Sequence, residues 1–60
     1  MVSVEKLEEI ARRRGYKVSR IVRFKHRDRV VLEKPDFKVT LYLTKKLEEL
    51  SEEELLSVLS

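Results

Sequence analysis

The stretch FKVTLYL, residues 37–43, alternates without interruption. Phe37, Val39, Leu41 and Leu43 fall on one face of an extended chain, and Lys38, Thr40 and Tyr42 fall on the other. A strand with a single apolar face belongs to an antiparallel sheet covered on one side only. The cover must come from the segments that flank it.

Working upstream, KPD (residues 34–36) reads as a turn, because Pro withholds a backbone donor and Asp favours turns. Val30, Val31 and Leu32 before it predict a short strand, and HRDR (residues 26–29) a polar turn. Earlier still, YKVSRIVRFK (residues 16–25) predicts one long strand with Tyr16, Val18, Val22 and Phe24 on one face. Ile21 is expected opposite them, and Arg20 breaks the stripe, which predicts a bulge near that residue. From Ser3 to Arg14 the apolar residues Val4, Leu7, Ile10 and Ala11 recur at helical steps. Ser3 is placed to cap the start and Gly15 to end the helix at C′.

Downstream of the alternating stretch, Leu47 and Leu50 predict a brief helical turn. Ser51 and Glu54 form the S-x-x-E pattern of a capping box, which opens a last helix bearing Leu55, Leu56, Val58 and Leu59. The reading is therefore an α+β fold of order α-β-β-β-α: a small three-stranded antiparallel sheet with helices on one face. Leu7, Ile10, Phe24, Val39, Leu41 and Leu55 are expected to form its core.

The 60 residues make one small domain, 1–60, and a domain of this size buries only ~60% of the surface its unfolded chain exposes. No cysteine is present, so disulfides and thiolate metal sites are excluded and a reducing, cytoplasmic setting is expected. No apolar run approaches the ~20 residues of a membrane span, and no membrane partner is expected. Charged residues are 42% of the chain, with one Gly and one Pro, a balance that resembles heat-adapted proteins. Net charge is +3, and the excess of cations is concentrated in residues 12–38, where only Asp28, Glu33 and Asp36 oppose them.

Catalysis needs a nucleophile with its base, a carboxylate pair in a dry cleft, or a metal cluster. The one histidine, His26, sits in the expected polar turn with no second histidine to complete a site, and reads as a solvated turn residue. Glu48, Glu49, Glu52, Glu53 and Glu54 lack the spacing of a calcium loop and read as a charged helix face. No catalytic or metal-binding residue is assigned, and no cofactor.

The segment KVTLYLTKKLEELSEEELLSVLS (residues 38–60) resembles the part of the HtpX-like zinc metallopeptidases that leads into their His-Glu-x-x-His motif. In that family a strand is followed by a leucine-bearing turn, a capped acidic start and a Leu/Val helix. Here residues 39–43, 44–50, 51–54 and 55–60 correspond to these in turn. EKLEEIARRRGYKVSRIVRF (residues 5–24) resembles the family's N-terminal helix and opening strand more loosely. The final helix is capped at its start and has no Gly, Asn or basic residue at its end, which predicts the first turns of a longer helix. Both histidines, the general-base glutamate and the third ligand would fall beyond Ser60, so no catalytic residue carries over and zinc is implied only where a downstream motif exists. This chain would then be a fragment or truncated relative of such a peptidase. What the resemblance does imply is an edge strand along which extended substrate pairs antiparallel, at Lys38, Val39, Thr40, Leu41 and Tyr42.

Three functions follow as expectations. One is a non-catalytic scaffold of the zinc-peptidase kind. Another is an interaction module whose edge strand pairs with an extended peptide, a protein or a second copy of itself. A third is a basic nucleic-acid-binding module, since double-stranded-RNA-binding domains share the element order; Lys17, Arg23, Lys25, Arg27, Lys45 and Lys46 would then contact phosphates. Lys17, Arg23 and Lys25 are expected on one outer face of the first strand. The glutamates that follow Lys45 and Lys46 weigh against that third reading.

Overall fold

The computed structural model describes residues 2–59. Helix α1 spans Val4–Arg13, strand β1 Lys17–Arg23, β2 Asp28–Lys34 and β3 Phe37–Tyr42; a 3-10 turn covers Leu47–Glu49, and helix α2 spans Glu52–Leu59. The expected α+β order of helix, three antiparallel strands and helix is what the chain forms.

Both helix starts follow from their capping residues. Ser3 Oγ accepts the Lys6 amide at 3.1 Å. At α2 the box is reciprocal: the Glu54 amide donates to Ser51 Oγ at 3.1 Å, and the Ser51 amide donates to Glu54 Oε1 at 3.0 Å. Helix α1 ends in a Schellman arrangement. The Gly15 amide donates to the Arg12 carbonyl and the Tyr16 amide to the Ala11 carbonyl, while Gly15 adopts φ 82°.

The sheet order is β1-β2-β3, so β2 is central and β3 is an edge. β2 and β3 pair without a break from Arg29↔Tyr42 to Lys34↔Phe37, closed by the two-residue loop Pro35-Asp36. β1 and β2 pair with a register shift between Val18 and Arg20, which leaves Ser19 as the extra residue of a bulge. The bulge corrects two expectations. It reverses the alternation after residue 19, so Ile21 joins Val18 against the core, and Val22 turns to the opposite face. Phe24, expected in the core, is instead an exposed aromatic.

A third correction concerns the turn expected at residues 26–29. Asp28 and Arg29 already belong to β2, and Asp28 is buried to 1% exposure. The core-facing rows of the sheet are Val18–Leu32–Val39 and Ile21–Val30–Leu41, and Asp28 continues that face one step beyond Val30. Val30 and Leu32 are fully buried under Leu7, Ile10 and Ala11 of α1, Leu55 of α2, and Val2, Leu43, Leu47 and Leu50 of the connecting segments. Both helices contribute to this one cluster. Val39 and Leu41, on the edge strand, are only half-buried.

Candidate functional site: an open sheet face and a free edge

The face of the sheet away from the core carries three cross-strand rows: Lys17–Glu33–Lys38, Arg20–Val31–Thr40 and Val22–Arg29–Tyr42. Lys17, Arg20, Arg29 and Lys38 therefore stand on this face against one acid, Glu33. The pairing of Lys38 with Glu33 is loose, at 4.0 Å, and both are partly in solvent. Such a contact contributes little to stability.

The backbone of β3 defines the edge. The Leu43 amide donates to the Asp28 carbonyl at 3.2 Å, one step beyond the last ladder pair. Antiparallel pairing alternates, so the amides and carbonyls of Leu41, Val39 and Phe37 also face β2. Those of Lys38, Thr40 and Tyr42 point away from the sheet. β3 lies extensively only against β2 among the helices and strands. The other edge, β1, is interrupted by its bulge and carries Lys17 and Arg20, two features that discourage pairing. β3 is regular and its one charged side chain is Lys38.

The five residues expected at a peptide-pairing edge thus lie together on β3. Lys38, Thr40 and Tyr42 present side chains on the open face and backbone groups at the rim. Val39 and Leu41 stand on the core side of the sheet, where Leu41 packs against the buried cluster. Tyr42 is 72% exposed, the largest exposure among the big apolar and aromatic side chains of the described residues.

The six cations expected to contact phosphates do not form one surface. Lys17 and Lys25 belong to opposite ends of β1 and its following turn. Lys45 Nζ pairs with Glu54 Oε2 at 3.0 Å. Arg27 lies 5.8 Å from the centre of the Phe24 ring. Arg23, expected on the outer face, is carried by the bulge to the side of Asp28, and Lys46 reaches the same carboxylate.

That carboxylate is the centre of a network that sequence reasoning missed. Asp28 Oδ2 accepts the Leu47 amide at 2.7 Å and Arg23 Nη1 at 3.0 Å, and Oδ1 accepts Lys46 Nζ at 2.6 Å. Arg23 also grips Glu48 with both terminal nitrogens, at 2.9 and 3.1 Å, and Lys46 Nζ donates to the Phe24 carbonyl at 2.7 Å. Glu48, expected to be merely solvated, is therefore part of a bidentate pair. Burial of Asp28 works to raise its pKa, but the Leu47 amide, Lys46 and Arg23 together outweigh it and hold the carboxyl below its ordinary value. The network ties the β1–β2 hairpin to the segment that delivers Leu47 into the core. A carboxylate held ionised and saturated in this way serves structure.

The signal for it was present in the sequence. Counting back two residues from Val30 along a strand lands on Asp28, on the core face.

Among the described residues, no three His, Cys, Asp or Glu side chains gather as a metal site, and no helix is long and apolar enough to cross a membrane. No protein-family model, curated protein or solved structure matches this chain.

Proposed function

We propose that this chain is a non-catalytic docking module in which the β3 edge pairs with an extended peptide segment of a partner. The observation that carries the reading is the outward row of backbone groups at Lys38, Thr40 and Tyr42 on a strand with no bulge. An edge of this kind offers a template for one more strand; main-chain hydrogen bonds supply affinity and alternate side chains supply selection. The resemblance of residues 38–60 to the segment before the His-Glu-x-x-His motif of HtpX-like zinc metallopeptidases supports the same strand as the pairing surface. On that resemblance the chain supplies the substrate-aligning part of such a fold.

The nucleic-acid reading stands second. Of the six cations it draws on, Arg23, Lys45 and Lys46 already hold protein carboxylates, so fewer remain to exchange their counterions for phosphate.

Titration of the labelled chain with an extended Thr/Val-rich peptide tests the proposal. Chemical-shift changes confined to residues 38–42 are expected, and Thr40→Pro, which removes one outward donor, is expected to weaken binding. Shifts centred on β1 or on the β1–β2 turn, unaltered by Thr40→Pro, would contradict it.

A further inference from the structure

At the end of the open face, Arg29 is held between two rings. Its guanidinium carbon lies 5.1 Å from the centre of Phe24 and 4.9 Å from that of Tyr42. Its Nε is withdrawn from solvent and has no acceptor. The Arg29 side chain has no hydrogen bond or ion pair with any described residue, whereas Arg23 and Lys46 are engaged by Asp28, Glu48 and the Phe24 carbonyl. A cation stacked by rings in this manner keeps its in-plane edge for an anion, and a planar carboxylate matches that edge with two parallel hydrogen bonds.

Beside Arg29 opens a groove of about 390 Å³, walled by Phe24, Arg27, Arg29, Tyr42 and Thr44, with Leu43 and Asp28 also in its lining. It begins where β3 ends. A strand added antiparallel to β3 would enter at Tyr42, so the residues preceding its paired stretch would cross this groove.

We infer that the partner segment carries acidic residues immediately before its paired stretch, and that their carboxylates are taken up by Arg29 and Arg27. This rests on the edge-pairing reading and adds the chemistry of the occupant. Charge complementarity selects this occupant: two arginines face the groove, Arg29 without an anion, while the acid in its lining, Asp28, is already paired with Arg23 and Lys46.

Two probes decide it: acetyl-Glu-Glu-Thr-Val-Thr-Val-Thr-amide and the same peptide with Gln-Gln in place of Glu-Glu. Calorimetry is expected to show the acidic probe binding roughly tenfold tighter, the effect of a charge-assisted pair. Arg29→Gln is expected to remove most of that ratio, by weakening the acidic probe more than the Gln-Gln probe. Arg27→Gln, which leaves the ring-stacked arginine in place, is expected to reduce the ratio in part, and so keeps the test valid should Arg29→Gln unfold the chain. Equal affinities for the two probes, both weakened by Thr40→Pro, would overturn the acidic preference and leave the edge reading standing. Absence of binding by either probe at about millimolar concentration would overturn both. A short RNA duplex that displaces the acidic probe from Arg29 at equal concentration would reassign the groove to phosphate.

Discussion

Lys46 Nζ lies 2.6 Å from Asp28 Oδ1, and the next amide along the chain, that of Leu47, lies 2.7 Å from Oδ2. One buried carboxylate thus fixes both a cation and a backbone turn, and through that turn the fully buried Leu47. Removal of the carboxylate leaves the buried Leu47 amide without its acceptor and takes one of two from Lys46 Nζ, which keeps the Phe24 carbonyl. Asp28→Ala is expected to cost ~1–3 kcal/mol, a sizeable share of the ~5–15 kcal/mol that a domain possesses. Denaturant unfolding measures this; a loss below about 1 kcal/mol would mean that the network is solvated.

The same network sets the acid limit of stability. Asp28, Glu48 and Glu54 all titrate below their ordinary values. For Asp28 burial opposes the shift and the Leu47 amide leads the groups that outweigh it; Arg23 leads for Glu48, and the Ser51 amide for Glu54. A carboxyl with a depressed folded pKa binds its proton more readily in the unfolded chain. Its contribution is therefore present above the unfolded value and is lost as pH falls through the folded one. Stability is expected to be level from about pH 7 to about pH 5 and to decline below about pH 4, with Asp28→Asn flattening the decline. A profile that stays level to about pH 2, or that declines first on the alkaline side, would refute this.

Burial reverses the expectation for two apolar side chains, since the sequence reading puts Phe24, and not Leu47, in the core. Leu47 is fully buried, so Leu47→Ala is expected to cost ~2–5 kcal/mol, whereas Phe24 is 38% exposed and Phe24→Ala should fall short of the ~3–5 kcal/mol typical of a core aromatic. Thermal melts of the two variants check the order. A lower melting temperature for Phe24→Ala than for Leu47→Ala would place Phe24 in the core after all.

Gly15 is required for its backbone. A Cβ there would meet Lys34 Cε at an ordinary 3.7 Å, so space is available, but φ 82° lies in the left-handed region. Gly15→Ala is expected to cost ~1–2 kcal/mol and Gly15→Asn less, since Asn tolerates that region. Equal stability of all three would show that the helix end adopts another conformation.

The two helix starts, the Gly15 stop and the alternation of β3 were legible because each is a local rule with its partners three to five residues away. The faces of β1 were not. Arg20 signals a bulge, but only the pairing register shows which residue is extra: with Ser19 extra, Ile21 and Arg23 change sides together, and Val22 and Phe24 leave the core. Asp28 was missed because its charge suggested a turn, while its parity with Val30 and Leu32 assigned it inward. Its donors Lys46 and Leu47 are 18 and 19 residues away, beyond the reach of any local pattern. The Arg29 sandwich likewise draws Phe24 and Tyr42 from different strands and depends on register that only the fold supplies.

The working edge is tested most directly by amide hydrogen exchange along β3, residue by residue, in the free chain and with an extended peptide added. In the free chain the amides of Val39 and Leu41 are expected to be protected by β2, and those of Lys38, Thr40 and Tyr42 to exchange freely; with peptide, the second set should become protected while the first is unchanged. Equal protection of all five amides in the free chain, or free exchange of Lys38, Thr40 and Tyr42 at every peptide concentration, would contradict the account.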